Sequence, residues 1–461
     1  MRWPSPGAAV VAWEAWRFAP GDKEAIGRRQ RERLGRLVRH ARTASPYYRH
    51  LYAGLPPDIG DLCALPPVHK RDLMENFDDW VTDPDVTLAT LRRDWLSDPR
   101  QIGAAYRGRY HVLTTSGTSG EPAVLLHDAP SWRLIHLVGR RGELQMLEDR
   151  QAVRGLLREG LRTAALFVTG GHFGGQVLFE SARHQSAFVA RHTRLFSVLR
   201  PIREIVAELN DFRPTVLAGY PSALARLAAE QRAGQLRIQP VLAFTAGEDL
   251  SARTRAEIVA AFGCTVQSRY AASEVPALAT ECREALLHVN VDWYVIEPVD
   301  QDDRPVPAGV ASHTVLVTNL ANRVQPLIRY DLGDRVELVD GPCACGNRLP
   351  AIRVRGRTAD LLEFASARGG KVRLLPLALG TVIEETPGVR RFQAIRTGPT
   401  GLSVRLETFP GADPAALWRT LNERLSAFFA AQGCAPVSIE RSPEAPRPEA
   451  RSGKFRQVFS A

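Results

Sequence analysis

The segment Thr114–Pro122, TTSGTSGEP, concentrates hydroxyl side chains and glycines in one short run. Such a run suits a loop that wraps a phosphate. Gly117 and Gly120 let the chain turn with no Cβ in the way, so backbone N–H groups can converge on an anion. Thr115, Ser116, Thr118 and Ser119 add hydroxyl donors. The loop holds no lysine, so it is not of the G-x-x-x-x-G-K type, and a balancing cation must come from elsewhere in the chain. Read alone, it is equally an ordinary surface turn.

Further segments follow in order. RYAASE ends a predicted strand with the ring of Tyr270 and the carboxylate of Glu274. RYDLGD sets Asp334 at a turn between strands, RGRTAD carries Arg357, and RSGKFR brings Lys454 close to the C-terminus. Tyr270 can stack on a purine, Glu274 can hold Mg²⁺, Asp334 can accept from ribose hydroxyls, and Lys454 can reach a phosphate. Singly, each has a structural alternative: a core aromatic, a turn aspartate, a solvated linker arginine, a tail lysine. Their order along one chain favours the chemical reading.

A second constellation is separate. Cys282-x₅-His288 and Cys343-x-Cys345-Gly346 supply three thiolates and one imidazole. Three sulfurs and one nitrogen suit a tetrahedral Zn²⁺ ion with no open position, which makes a structural rather than a catalytic site. The alternative is four unrelated side chains.

The elements that must hold these residues are legible from periodicity. Residues 24–100 read as polar-amphipathic helix. Between Leu161 and Glu274, short β-branched runs (TAALFVTG, SAFVAR, TVLAGY, PVLAFTAGE, TVQSRYA) alternate with helical ones (PIREIVAELNDF, PSALARLAAEQRA, SARTRAEIVAAFG). That alternation predicts a largely parallel sheet covered by helices. Residues 286–340 read as strands joined by turns, a β-rich lobe, and the last ~100 residues have a strand–helix pattern of their own. The expectation is an α/β chain with a large N-terminal domain of mixed and parallel sheets covered by helices plus a β-rich lobe, over residues 1–356. A small α+β C-terminal domain then spans residues 357–461.

Composition narrows the class. The chain has 461 residues, 44% of them hydrophobic, enough for two or three packed domains. Its net charge is +10, but only Lys23, Lys70, Lys371 and Lys454 are lysines among 60 basic residues, and the charge is spread with no basic block. Neither nucleic acid nor a membrane is expected as a partner. The six cysteines are too sparse for a disulfide framework, and the start lacks a signal-peptide pattern, so a cytoplasmic chain with reduced thiols is expected.

Together, TSGTSGEP, YAASE, RYDLGD, GRTADLL and SGKFR resemble the signature of the adenylate-forming enzymes, in the branch of the phenylacetate–CoA ligases. The resemblance extends from LVRHARTASPYYRHLY to SGKFR and implies a site residue by residue. Thr115, Ser116, Gly117, Thr118, Ser119 and Gly120 would hold the pyrophosphate end of ATP. Ala246, Gly247 and Glu248 (TAGE) with Tyr270, Ala271, Ala272 and Ser273 would bind the nucleotide. Glu274 would serve Mg²⁺, Asp334 and Arg357 the ribose, and Lys454 the reacting carboxylate and α-phosphate. The acyl pocket would draw on His172, Phe173 and Gly174 (GGHFGG) and on Tyr220 and Pro221 (GYPS). Some relatives in this branch carry zinc at the place of Cys282, His288, Cys343 and Cys345.

The implied activity joins a carboxylic acid, of aromatic type by resemblance, to a thiol such as CoA through an acyl-adenylate. Two departures leave alternatives open. Ala359 stands where the family's hinge usually carries Asp or Lys, with Asp360 one position late, and EFASARGGKVRLLP is longer than the usual spacing. Amide formation with an amine, activation of a small inorganic acid such as nitrite, and a non-catalytic zinc-containing scaffold remain consistent with the residues.

Overall fold

The computed structural model describes residues 23–56, 62–115, 122–146, 150–357, 362–374, 376–448 and 455–460. Ser116–Gly120, Ala359 and Lys454 therefore lie outside the described residues. The chain separates into two compact units, Met1–Leu332 with Glu337–Arg353 and Gly333–Val336 with Val354–Ala461.

The first unit begins with helix α1, Lys23–Ala44, followed by short helices up to Asp94. An antiparallel hairpin comes next, β1 (Tyr110–Thr114) and β2 (Val124–Asp128), with the helix α2, Ala129–Met146, after it. Parallel strands then alternate with helices as the periodicity predicts. They are β3 (Thr163–Phe167), β4 (Thr193–Ser197), β5 (Val216–Gly219), β6 (Leu242–Ala246) and β7 (Thr265–Ala272). The principal intervening helices are α3 (Gly174–Gln185), α4 (Ile202–Phe212), α5 (Pro221–Arg232) and α6 (Ala252–Phe262). One expected strand is a helix: SAFVAR falls in Ala187–His192, capped by Ser186, and the strand is the next segment, TRLFS. A short apolar run of that length does not distinguish buried strand from helix, and the Ser186 hydroxyl accepting from Val189 N–H starts a helix there.

Strands β8 (Val275–Glu281), β9 (Leu287–Val289), β13 (Asp334–Leu338) and β14 (Ala351–Arg357) extend the same sheet. Among the described residues it has nine strands in the order β13-β14-β9-β8-β7-β6-β5-β3-β4. The β-rich lobe is a three-stranded sheet of β10 (Tyr294–Val299), β11 (Thr314–Asn319) and β12 (Tyr330–Asp331). Ala164, Leu166, Leu217, Ala243 and Val266 form one core under the parallel strands with Leu209 of α4, Leu224 and Leu227 of α5 and Ile258 of α6. No helix among the described residues is long and apolar enough to cross a membrane.

The second unit pairs β15 (Leu362–Ala365) with β16 (Lys371–Leu374). Its four-stranded sheet combines β17 (Val389–Gly398), β18 (Gly401–Thr408), β19 (Ser438–Arg441) and β20 (Val458–Ser460). The helix α8, Pro414–Ala431, and the shorter α7, Pro376–Glu384, contribute Leu379, Leu421, Leu425 and Phe429 to its own core. The long segment EFASARGGKVRLLP becomes the β15–β16 hairpin, closed by Ser366 and Gly370.

Strand β3 pairs in parallel with both β4 and β5, so the order of connection reverses between β3 and β5. Such a reversal opens a crevice at the carboxyl ends of the strands, where ligands bind in open α/β sheets. Gly219 ends β5 at this point. A Cβ built there would lie 2.7 Å from the carbonyl oxygen of Leu166 on β3, a collision with backbone that cannot step aside. Gly219→Ala should therefore lower stability by roughly 1–3 kcal/mol, the range for overpacking a tight interior. Gly139→Ala, in α2 with open space around it, should not. Thermal unfolding of the two variants checks this.

Candidate functional site

The site is built at the carboxyl edge of the parallel strands. Thr115 closes the base of the TTSGTSGEP loop: its N–H donates to Ala123 O at 3.0 Å and its hydroxyl accepts from Ala123 N at 2.9 Å. One residue earlier, Thr114 N–H donates to His172 O at 2.7 Å and Thr114 bridges Phe173 in parallel. The hydroxyl loop and the GGHFGG segment are thus joined at their bases. Gly174 begins α3 against Ser273, and a Cβ at Gly174 would lie 3.3 Å from Ser273 Oγ. That close approach brings the YAASE segment to the same place.

TAGE and GYPS meet as well. They follow the neighbouring strands β6 and β5, and Gly247 takes the left-handed backbone (φ +82°) that turns the chain at the strand end. Both oxygens of Glu248 are held by Ser222, from its N–H at 3.0 Å and its hydroxyl at 3.0 Å. Glu248 thereby places a carboxylate at the N-terminus of α5, which the helix dipole favours. Tyr220 packs edge-to-face on Phe167 at 5.2 Å across the β3–β5 crevice, and burial followed by the Glu248 charge raises its hydroxyl to about 12. His172 is buried, and burial lowers it to about 4, so its ring is neutral at pH 7.

Ser273 and Glu274 are the two corner residues of the hairpin between β7 and β8, where Ala272 pairs with Val275. Glu274 is buried, yet it has few partners. Tyr330 Oη–H donates to its Oε1 at 3.0 Å, and Asn319 Nδ2–H donates to its backbone carbonyl at 3.2 Å. Oε2 makes no hydrogen bond to any of the described residues. On the other side, His127 Nε2 contacts Ser273 O at 2.9 Å. Because a carbonyl only accepts, Nε2 carries the proton, and burial lowers the pKa of His127 in keeping with a neutral ring. A carboxylate with one oxygen committed and one free can ligate a hard divalent cation through the free oxygen.

The remaining predicted residues are distributed as follows. Tyr270 is half-buried in β7, whose Arg269 pairs with Ala246 of β6. Ala271 and Ala272 complete β7, where a register shift falls between Tyr270 and Ala272. Asp334 begins β13 and is buried, directly after Gly333 with its left-handed backbone (φ +72°). Arg357 ends β14.

Cys282, His288, Cys343 and Cys345 converge, with all four ligand atoms within 4.8 Å of one another. A tetrahedral ion with metal–sulfur bonds of about 2.3 Å and metal–nitrogen bonds of about 2.0–2.1 Å sets an S···S edge of about 3.8 Å and an S···N edge of about 3.6 Å. Cys282 and Cys343 sulfurs are 3.7 Å apart, and Cys345 Sγ is 3.3 Å from His288 Nε2. His288 Nδ1 is engaged with Leu349 O at 2.7 Å, which leaves Nε2 for an ion, and Asn347 N–H donates to Cys345 Sγ at 3.3 Å. These outer bonds orient ligands in metal sites. The residues fit a closed metal centre. The four side chains come from the β8–β9 segment and the β13–β14 connection, both on the nine-stranded sheet.

Known proteins are similar to this chain in sequence or in fold. Part of the chain is similar to protein CapK of Staphylococcus aureus, 31% identical over 173 residues, 35% of this chain and 35% of the length of CapK. A longer part is similar to phenylacetate–coenzyme A ligase of Pseudomonas putida, 26% identical over 363 residues, 74% of this chain and 72% of the ligase. Among solved structures, 2-hydroxyisobutyryl-CoA ligase in its postadenylation state matches with a TM-score of 0.70 at 20% identity, over 95% of this chain and 89% of that one. Over most of its length the chain is similar to a phenylacetate–coenzyme A ligase, and it has the adenylate-forming ligase fold. No protein-family model matches it.

Three residues that surround the candidate carboxylate were not singled out by the sequence reading. Tyr330 lies inside RYDLGD, a segment read only for its Asp334. Asn319 ends β11, and His127 lies 146 positions from the carbonyl that it contacts. No local pattern marks a side chain whose partner is that far along the chain.

The metal cluster generates a direct prediction. Purified protein should hold about one equivalent of a divalent metal, and Cys343→Ser/Cys345→Ser should lose it with a fall in melting temperature. Full occupancy in the double variant, measured by elemental analysis, contradicts the site.

Proposed function

We propose that the chain is an ATP-dependent, AMP-forming ligase that joins a carboxylic acid, of aromatic type, to a thiol such as CoA. The observation that carries this reading is Glu274. Its buried carboxylate is fixed through one oxygen by Tyr330 and offers the other at the carboxyl edge of the sheet, beside the hairpin that carries the hydroxyl loop. Likeness to a phenylacetate–coenzyme A ligase over most of the chain supports it.

The chemistry follows from charge. A substrate carboxylate and the α-phosphate of ATP are both anionic, so in-line attack needs positive charge to bring them together. The carboxylate oxygen forms a bond to the α-phosphorus as the bond to pyrophosphate breaks, leaving an acyl-adenylate. A thiol then attacks the acyl carbon, loses its proton, and AMP departs. Mg²⁺ held by Glu274 would neutralise the phosphates. Backbone N–H groups and hydroxyls of Thr115–Gly120 would receive the pyrophosphate end. Gly247 and Tyr270 would border the base, and Asp334 and Arg357 would take the ribose. The acyl group would occupy the β3–β5 crevice between His172, Phe173 and Tyr220. The four-ligand cluster would hold Zn²⁺ as a brace, and its reduced thiols suit a cytoplasmic chain. The cation absent from the hydroxyl loop would be Lys454.

The test is pyrophosphate release over a panel of carboxylic acids, with and without CoA. Wild-type protein should release pyrophosphate with at least one aromatic acid and turn over only when CoA is present. Release without CoA dependence, or with an amine in its place, would move the acceptor; no release with any acid would overturn the reading. Lys454→Ala should bind ATP almost normally yet lose adenylation by orders of magnitude, at ~1.4 kcal/mol per tenfold. It should still convert preformed acyl-adenylate to thioester, since no phosphate charge remains to be offset there.

A further inference from the structure

The corner Ser273–Glu274 is not held by its own turn chemistry. Two-residue hairpin loops favour types I′ and II′, with a left-handed residue at the first corner, because their twist matches the strands. Neither Ser273 nor Glu274 is among the residues with positive φ, and neither is glycine or asparagine. The corner is gripped instead from three other elements. His127 of β2 takes the first corner carbonyl, Asn319 of β11 takes the second, and Tyr330 of β12 takes the carboxylate itself.

Each grip is itself locked. Asn319 is buried, and its Oδ1 accepts from Ala321 N at 3.1 Å and Asn322 N at 3.3 Å, which fixes the amide so that Nδ2 faces Glu274 O. Tyr330 is buried, and its strand pairs with Val317. The residue before it, Arg329, has a left-handed backbone (φ +50°), a conformation that costs a non-glycine residue on the order of 1 kcal/mol or more. Its buried guanidinium binds Glu297 at 3.1 Å and Leu65 O at 2.6 Å, and its N–H donates to Thr318 Oγ1 at 2.9 Å. That lattice of bonds holds the bend immediately ahead of Tyr330.

We infer that Tyr330 is a positioning residue for the metal-binding carboxylate, with Asn319 as its backbone counterpart. The Tyr330 hydroxyl commits Oε1 of Glu274 and thereby leaves Oε2 as the ligand oxygen. This rests on the reading of Glu274 as the Mg²⁺ ligand of an adenylating site. In this assignment Tyr330 acts through Glu274.

The test is a double-mutant cycle read by binding rather than turnover. Mn²⁺ bound in the presence of a non-hydrolysable ATP analogue is counted by electron paramagnetic resonance, and melting temperatures are recorded in parallel. Tyr330→Phe keeps the buried ring and removes only the hydroxyl. It should weaken Mn²⁺ binding about tenfold or more, as expected for a lost hydrogen bond to a charged group, with little change in melting temperature. In a Glu274→Gln background the same substitution should change Mn²⁺ binding less than twofold, because the carboxylate through which it acts is gone. Asn319→Ser should reproduce the effect in weaker form.

An equal loss in both backgrounds, or normal Mn²⁺ binding in folded Tyr330→Phe, overturns the assignment. Wild-type protein that binds no metal–nucleotide at all overturns the adenylation reading, and this inference with it. If Tyr330→Phe fails to fold, Asn319→Ser decides alone: normal Mn²⁺ binding there also counts against it.

Discussion

A buried carboxylate is costly to keep ionised unless hydrogen bonds or a cation compensate it. Glu274 has one such bond, from Tyr330, and the rest of the first unit is arranged so that this bond can exist. The hairpin β7–β8 carries Glu274 to the carboxyl edge of the sheet. The β-rich lobe contributes Asn319 and Tyr330, and β2 contributes His127. Residues from three other strands, one of them 146 positions away, must meet at one two-residue corner, and none of them can supply the arrangement alone. The lobe is therefore part of the site and not an appendage to it.

The same constraint explains why small residues gather where they do. Gly174 lets α3 start against Ser273, and Gly219 lets β5 lie against Leu166 O at the point where strand order reverses. Larger side chains there would push apart the elements whose ends make the crevice. The Cys282, His288, Cys343 and Cys345 cluster sits further along the same sheet, where the turn after β8 meets the β13–β14 connection.

Much of this was legible in the sequence because it is written locally. The alternation of β-branched runs and helical periods marked the parallel core, and CREALLH with CAC marked four side chains that converge, since both depend on spacing within a few residues. SAFVAR was misread as a strand because a short apolar run is ambiguous, and the deciding feature is the Ser186 hydroxyl accepting from Val189 N–H. The grip on Glu274 was not legible. The tyrosine of RYDLGD reads as a strand residue, an asparagine at a strand end reads as a turn, and only the fold reveals that both reach the same corner. The role of Glu248 was half visible: TAGE marked a strand end, but the pairing of its carboxylate with Ser222 needed the packing of β5 against β6.

The central claim is that a metal–nucleotide binds at the carboxyl edge of the parallel strands, on the Ser273–Glu274 corner. Backbone hydrogen–deuterium exchange with and without MgATP addresses it most directly, because it needs no knowledge of the acid or the acceptor. Exchange should slow in peptides covering 246–248 and 270–275, and the slowing should be lost in Glu274→Gln. Unchanged exchange at both segments under saturating MgATP, or protection confined to other parts of the chain, would contradict the account.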